Sequence, residues 1–179
     1  NGGVDELFGG DGNDTLDAGI EASALESGDI LDGGDGTDLL NQFTLGDTVM
    51  DYRVASLVSL ETLFFASDAG GGAFAGDITS VFNAEQFIDA GFTSISVGGR
   101  NAGDVFRVEL FMDTATLLDL SSINFSALTG AGDGVSIFGD DDAEHIIGSS
   151  VADTITGGNG NDVILGNGGL DLIYGEDGD

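Results

Sequence analysis

Glycine-rich turns that end on an acid recur along this chain, and they are the residues whose type and spacing suggest chemistry. Near the C-terminus the frame reads "GSSVAD-TIT", "GGNGND-VIL", "GNGGLD-LIY" and an incomplete "GEDGD". Upstream it continues as "GDDDAE-HII" and, more weakly, "GAGDGV-SIF", so Gly130, Gly139, Gly148, Gly157, Gly166 and Gly175 open successive units of nine. The N-terminus carries "NGGVD-ELF", "GGDGND-TLD" and "GGDGTD-LLN", interrupted by a longer turn, "AGIEASALESGD-ILD". Glycines at positions one, two and four allow positive φ and keep Cβ atoms clear of inward-turned carbonyls. Position six is acidic at Asp14, Asp38, Asp153, Asp162 and Asp171. Carbonyl and carboxylate oxygens are hard donors that suit calcium, which takes about six to eight oxygen ligands. The candidate metal set is Asp5, Gly9, Asp11, Asp14, Asp29, Gly33, Asp35, Asp38, Asp142, Glu144, Gly148, Asp153, Gly157, Asn159, Asp162, Gly166, Asp171, Gly175 and Asp177.

The elements that must position these turns are three-residue strands with an aliphatic at position eight. These are Leu7, Leu16, Leu31 and Leu40 in the first block, and Ile137, Ile146, Ile155, Ile164 and Ile173 in the last. A flexible acidic linker has no reason to keep that period. Strands this short bury little alone, so stability must come from stacking along a solenoid. Two units make one coil, which places residues 148–153 over 166–171, 157–162 over 175–179 and, allowing for the insertion, 9–14 over 33–38. An ion between stacked turns offsets the repulsion of their carboxylates. Two departures stand out: Val135 replaces the acid in "GAGDGV", so that turn should lack a full site, and Glu144 replaces Asp in "GDDDAE", where a weaker or altered site is expected. The neighbouring Asp140, Asp141 and Asp142 either compensate or form a solvated face.

The nonapeptide resembles the G-G-x-G-x-D-x-U-x repeat of the RTX (repeats-in-toxin) hemolysin-type calcium-binding family. The resemblance covers residues 1–41 and roughly 130–179. It implies an all-β fold, a right-handed parallel β-roll or β-helix solenoid with calcium-binding turns at both ends. It also implies calcium as cofactor, type I secretion, and folding outside the cell. The expected division is an RTX β-roll block over 1–41, a Phe-rich middle over 42–129 and a second β-roll block over 130–179.

The middle holds 10 of the 12 Phe, all three basic residues and 11 of the 33 acids. "DVFRVELFM" and "TSISVGG" alternate like half-buried strands, and "NAEQFIDAG" reads as a helical turn ended by Gly91. "SLVSLETLFF" fits either a solenoid corner or a short helix. The middle is therefore read as wider coils continuous with both blocks, against a competing inserted β-sandwich.

Composition excludes several classes of function. The net charge of -30, with Arg53, Arg100 and Arg107 the only basic residues, leaves no surface for nucleic acid, whereas 41% hydrophobic residues suffice for a core. There is no Cys for disulfides or zinc, no apolar run of about 18 residues to span a membrane, and no signal-peptide pattern. No nucleophile motif is present, and His145, the single histidine, should point outward from its strand, so no enzyme activity is expected. Arg100 and Arg107 are expected to pair locally with surplus acids. The expected function is a calcium-binding structural solenoid of an extracellular or cell-surface bacterial protein, such as a surface layer, adhesin or filament. The alternative is an accessory calcium-binding module of a secreted protease, lipase or polysaccharide-modifying enzyme. The chain starts and stops mid-unit, so continuation of the ladder or self-association is expected. A cell-surface polysaccharide is a further possible partner if the Phe residues form a flat exposed row.

Overall fold

The computed structural model describes residues 4–17, 25–44, 47–67, 76–98 and 103–178. Most of the insertion after Asp17, together with Arg100 and Asp179, lies outside the described residues.

Period-two and period-nine patterning produce a ladder of short strands in four sheets, and every pairing within them is parallel. The first sheet runs β1 (Glu6–Asp11), β3 (Ile30–Asp35), β6 (Ser56–Val58), and the second β2 (Thr15–Asp17), β4 (Leu39–Thr44), β7 (Thr62–Ser67), β9 (Ser94–Gly98). The third is the longest: β5 (Thr48–Asp51), β8 (Ile78–Asn83), β10 (Phe106–Phe111), β12 (Gly134–Phe138), β14 (Asp153–Thr156), β16 (Leu172–Tyr174). The fourth is β11 (Leu117–Asp119), β13 (His145–Ile147), β15 (Val163–Leu165). Parallel neighbours need a crossover, and here each crossover is the rest of a coil.

Coil length varies along the chain. Backbone-to-carboxylate bonds join residues 24 apart in the first coils, 28 and 27 apart in the middle and 18 apart at the C-terminal end. The last value is the two-unit coil expected from the repeat. Middle strands pair directly with strands of both repeat blocks, β7 with β4 and β10 with β12. A β-sandwich is built from antiparallel sheets, and none of these pairings is antiparallel.

The core is the interior of the coils. In β10, Phe106, Val108 and Leu110 are buried between half-exposed Arg107 and Glu109. The position-eight column is buried at Leu16, Leu31, Leu40, Ile137, Ile146 and Ile155, and opens at Leu7 (43%) and Ile173 (45%), in the first and last described strands. Each fully buried large side chain contributes about 1.5–3 kcal/mol. The middle coils are wide enough for aromatics: Tyr52 stacks on Phe82 at 4.8 Å, and Phe82, Phe87 and Phe92 pack at 5.0–5.8 Å. Phe87 belongs to a six-residue helix, α1 (Ala84–Asp89), that turns a corner and stops at Gly91, whose φ of 94° suits glycine. "SLVSLETLFF" is a corner, residues 59–61, between β6 and β7.

Candidate metal centre

The turns lie between strands, and at Gly9, Gly33, Gly139, Gly148 and Gly157 the next coil's backbone stacks so closely that position one has no room for a side chain. A Cβ on Gly9 would strike Gly33 O and lie 2.9 Å from Asp14 Oδ2. One on Gly148 would meet Asp153 Oδ2 at 2.5 Å and Gly166 O at 2.6 Å, and one on Gly157 would meet Asp162 Oδ2 at 2.5 Å and Gly175 O at 3.1 Å. Gly139 repeats the arrangement with Glu144 Oε2 at 2.9 Å and Gly157 O. The absent Cβ thus leaves a space between the turn's own position-six carboxylate and a carbonyl of the following coil. Positive φ is found at two of the three expected positions: position one does not use it, whereas position two does, at Gly10, Gly34 and Gly158 and also at Asn167 (70°) and Glu176 (59°), and position four does at Gly12, Gly36 and Gly169.

Each position-six carboxylate has two jobs, one per oxygen. Oδ1 reaches back to the previous coil: Asp38 accepts from Asp14 N–H (2.7 Å), Asp162 from Glu144 N–H (3.0 Å) and Asp171 from Asp153 N–H (3.1 Å). The second oxygen turns into the space beside position one. Asp14 Oδ2, Asp38 Oδ2, Asp162 Oδ2 and both Glu144 oxygens are buried there with no hydrogen-bond donor. Leaving such a group unsatisfied costs about 1–3 kcal/mol, and more when it is charged, so these oxygens call for a cation. Glu144 is 2% exposed. Burial first, then the adjacent Asp140 and Asp162 carboxylates, push its carboxyl up to about 8.

Two predicted ligands differ. Asp153 has a donor for each oxygen within its own turn, Ser149 N–H to Oδ2 and Ser149 Oγ–H to Oδ1, both at 2.6 Å. Burial raises its carboxyl to about 6 even so. Asp29 likewise accepts from Asp5 N–H (2.9 Å) on Oδ1 and Glu26 N–H (2.8 Å) on Oδ2, and these bonds hold its carboxyl below the usual range. At both turns protein donors already satisfy the carboxylate, which sets these turns apart from those of Asp14, Asp38, Glu144 and Asp162. Ser149, at position two in place of glycine, was visible in the sequence as a departure, and its role was missed. Asp5, Asp11, Asp35, Asp142, Asn159 and Asp177 are exposed, so the structure does not bring their side chains to the buried oxygens. Gly166 and Asp171 form the same half-space, and Gly175 has open space around it.

Among the described residues, no three acidic or imidazole side chains form a metal cluster by themselves. The donors are mixed, one or two carboxylates with backbone carbonyls, which fits calcium and not zinc. Residues 1–21, 24–41 and 147–179 match the family of the RTX calcium-binding nonapeptide repeat, in four copies. These segments are RTX calcium-binding repeats. No curated protein and no solved structure matches the chain. Calcium is the cofactor of RTX repeats; at these turns the position-six carboxylates and the stacked backbone carbonyls would hold it, and it would supply the positive charge that the buried oxygens lack. The turn of Gly139 and Glu144 lies outside the matched segments, yet it carries the same orphaned oxygens as the RTX turns.

The remaining polar and aromatic candidates are ordinary. His145 is exposed in β13. Arg53 pairs with Asp51 at 2.7 Å and Arg107 with Asp77 at 3.6 Å, all of them solvent-accessible. Phe111 stacks on the Phe138 ring (4.7 Å) and has the Arg53 guanidinium over its own ring (4.7 Å), while the exposed Phe8 and Tyr174 sit in the first and last described strands. No helix among the described residues is long and apolar enough to cross a membrane.

Proposed function

We propose that the chain is a calcium-dependent structural segment of an extracellular or cell-surface protein, in which ions held between stacked turns complete the fold of two repeat blocks, residues 1–41 and 130–179, on either side of a continuous aromatic middle, residues 42–129. One observation carries the reading: buried carboxylate oxygens at Asp14, Asp38, Glu144 and Asp162 face carbonyls of the next coil and have no donor. With a net charge of -30, closing the coils without a cation sets like charges against each other at short range. A ligand that binds only the folded form stabilises it by mass action, so binding and folding are one event for these blocks. Extracellular calcium modules work at Kd values of about 10⁻⁴–10⁻³ M, weak enough to stay empty inside a cell. The segment itself carries no reaction.

The test is far-UV circular dichroism of EDTA-treated protein titrated with calcium, with magnesium as control. A gain of β signal with calcium alone is expected. A spectrum indifferent to calcium, or equally responsive to magnesium, would remove the reading.

A further inference from the structure

We infer that the chain holds a calcium site that its repeats encode only in part, at the junction between the first repeat block and the aromatic middle, where a coil without the repeat supplies the second half. The site is formed by Asp38 Oδ2 and the backbone carbonyl of Ser59. This inference rests on the calcium reading of the repeats. Register defines the place: β3 pairs with β6 so that Asp32 lies opposite Val58, which puts Ser59 over Gly33 in the same relation as Gly33 over Gly9. A Cβ on Gly33 would strike Ser59 O and lie 2.7 Å from Asp38 Oδ2, the same pair of contacts that Gly9 shows with Gly33 O and Asp14 Oδ2. Asp38 is fully buried, and its Oδ2 has no donor.

The corner also reproduces the acid of position six. Glu61 Oε2 accepts Asp38 N–H (2.6 Å), as Asp38 Oδ1 accepts Asp14 N–H, and Thr62, which opens β7, donates to Asp38 O as Leu39 donates to Asp14 O. Residues 59–61 are thus a six-residue turn cut to three, keeping positions one and six. Ser59 has a φ of 52°. A left-handed serine costs about 1–2 kcal/mol, and the conformation accompanies the carbonyl that faces Asp38. Asp38 and Ser59 O are the ligands, and Glu61 is a positioning residue that holds the Asp38 backbone.

The test counts bound calcium by equilibrium dialysis for the wild-type chain, Asp38→Asn and Asp14→Asn, with folding checked by circular dichroism. Asn keeps an oxygen to accept Asp14 N–H, so Asp38→Asn should fold and bind one ion fewer than wild type, and Asp38→Asn/Asp14→Asn fewer than either single variant. Unchanged stoichiometry in folded Asp38→Asn would overturn the site. Should that variant not fold, anomalous scattering from wild-type crystals grown in calcium decides. A peak between Asp38 and Ser59 is expected. Peaks at Asp14 and Asp162 without one there would overturn this site and leave the calcium reading of the repeats standing, while no peaks at all would overturn both.

Discussion

At the scale of single residues, what separates one turn from another is who answers the second oxygen of the position-six acid. Asp162 Oδ2 has no protein partner, whereas both oxygens of Asp153 are satisfied by Ser149. Asp162→Ala should therefore raise the calcium concentration needed for half-folding several-fold. Asp153→Ala should leave that midpoint nearly unchanged and instead lower stability at saturating calcium by about 1–3 kcal/mol, because the Ser149 donors lose their acceptor. Calcium titrations and thermal melts of the two variants distinguish the outcomes, and equal shifts in calcium demand would undo the distinction. Glycines separate in the same way. Gly158 has a φ of 102° and Asp140 O directly against it, while Gly175 has nothing within 4 Å. Gly158→Ala should cost more than about 1 kcal/mol and Gly175→Ala no more than about 0.5 kcal/mol, as read from melts in calcium. The repeat made the acids of position six legible in sequence, but their ranking was not, because a serine standing in place of the usual position-two glycine declares its partner only once the turn is folded.

At the scale of the turn and its strands, the glutamate turn is the most pH-sensitive element. The folded carboxyls of Glu144 and Asp153 lie near about 8 and about 6, above their ordinary values of 4.5 and 3.8. The fold therefore binds these protons more tightly than the unfolded chain does. In calcium-free protein their stabilisation is fully present below the ordinary carboxylate range, and it is lost as pH rises through about 6 for Asp153 and about 8 for Glu144. Melts in EDTA should fall across that window, and Glu144→Gln should flatten the part between about pH 6 and 8. Added calcium should restore stability more at the upper end, where protons no longer compete. Of the elements themselves, β9, β10 and α1 were legible from alternation and from Gly91. The corner at 59–61 was legible only as one of two readings, because a turn shortened to three residues retains neither the glycines nor the spacing that reveal the others.

At the scale of the whole molecule, the two blocks and the middle draw on different sources of stability. The middle buries Tyr52, Phe65, Phe82, Phe87, Phe106 and Phe125 completely, while the C-terminal coils bury few side chains and carry orphaned carboxylates. Hydrogen exchange in EDTA should find β8 and β10 protected while β14, β15 and β16 exchange freely, with calcium closing the difference; uniform protection in EDTA would argue against it. The ladder of parallel strands has a mechanical consequence. Its hydrogen bonds run along the axis on which coils succeed one another, so tension applied across the stack pulls on one rung at a time and peels it, instead of shearing many bonds together. On the proposed calcium reading, each ion that joined two coils would act as a rivet across the seam, and the strength of the ladder under load would become a setting that the surrounding medium controls.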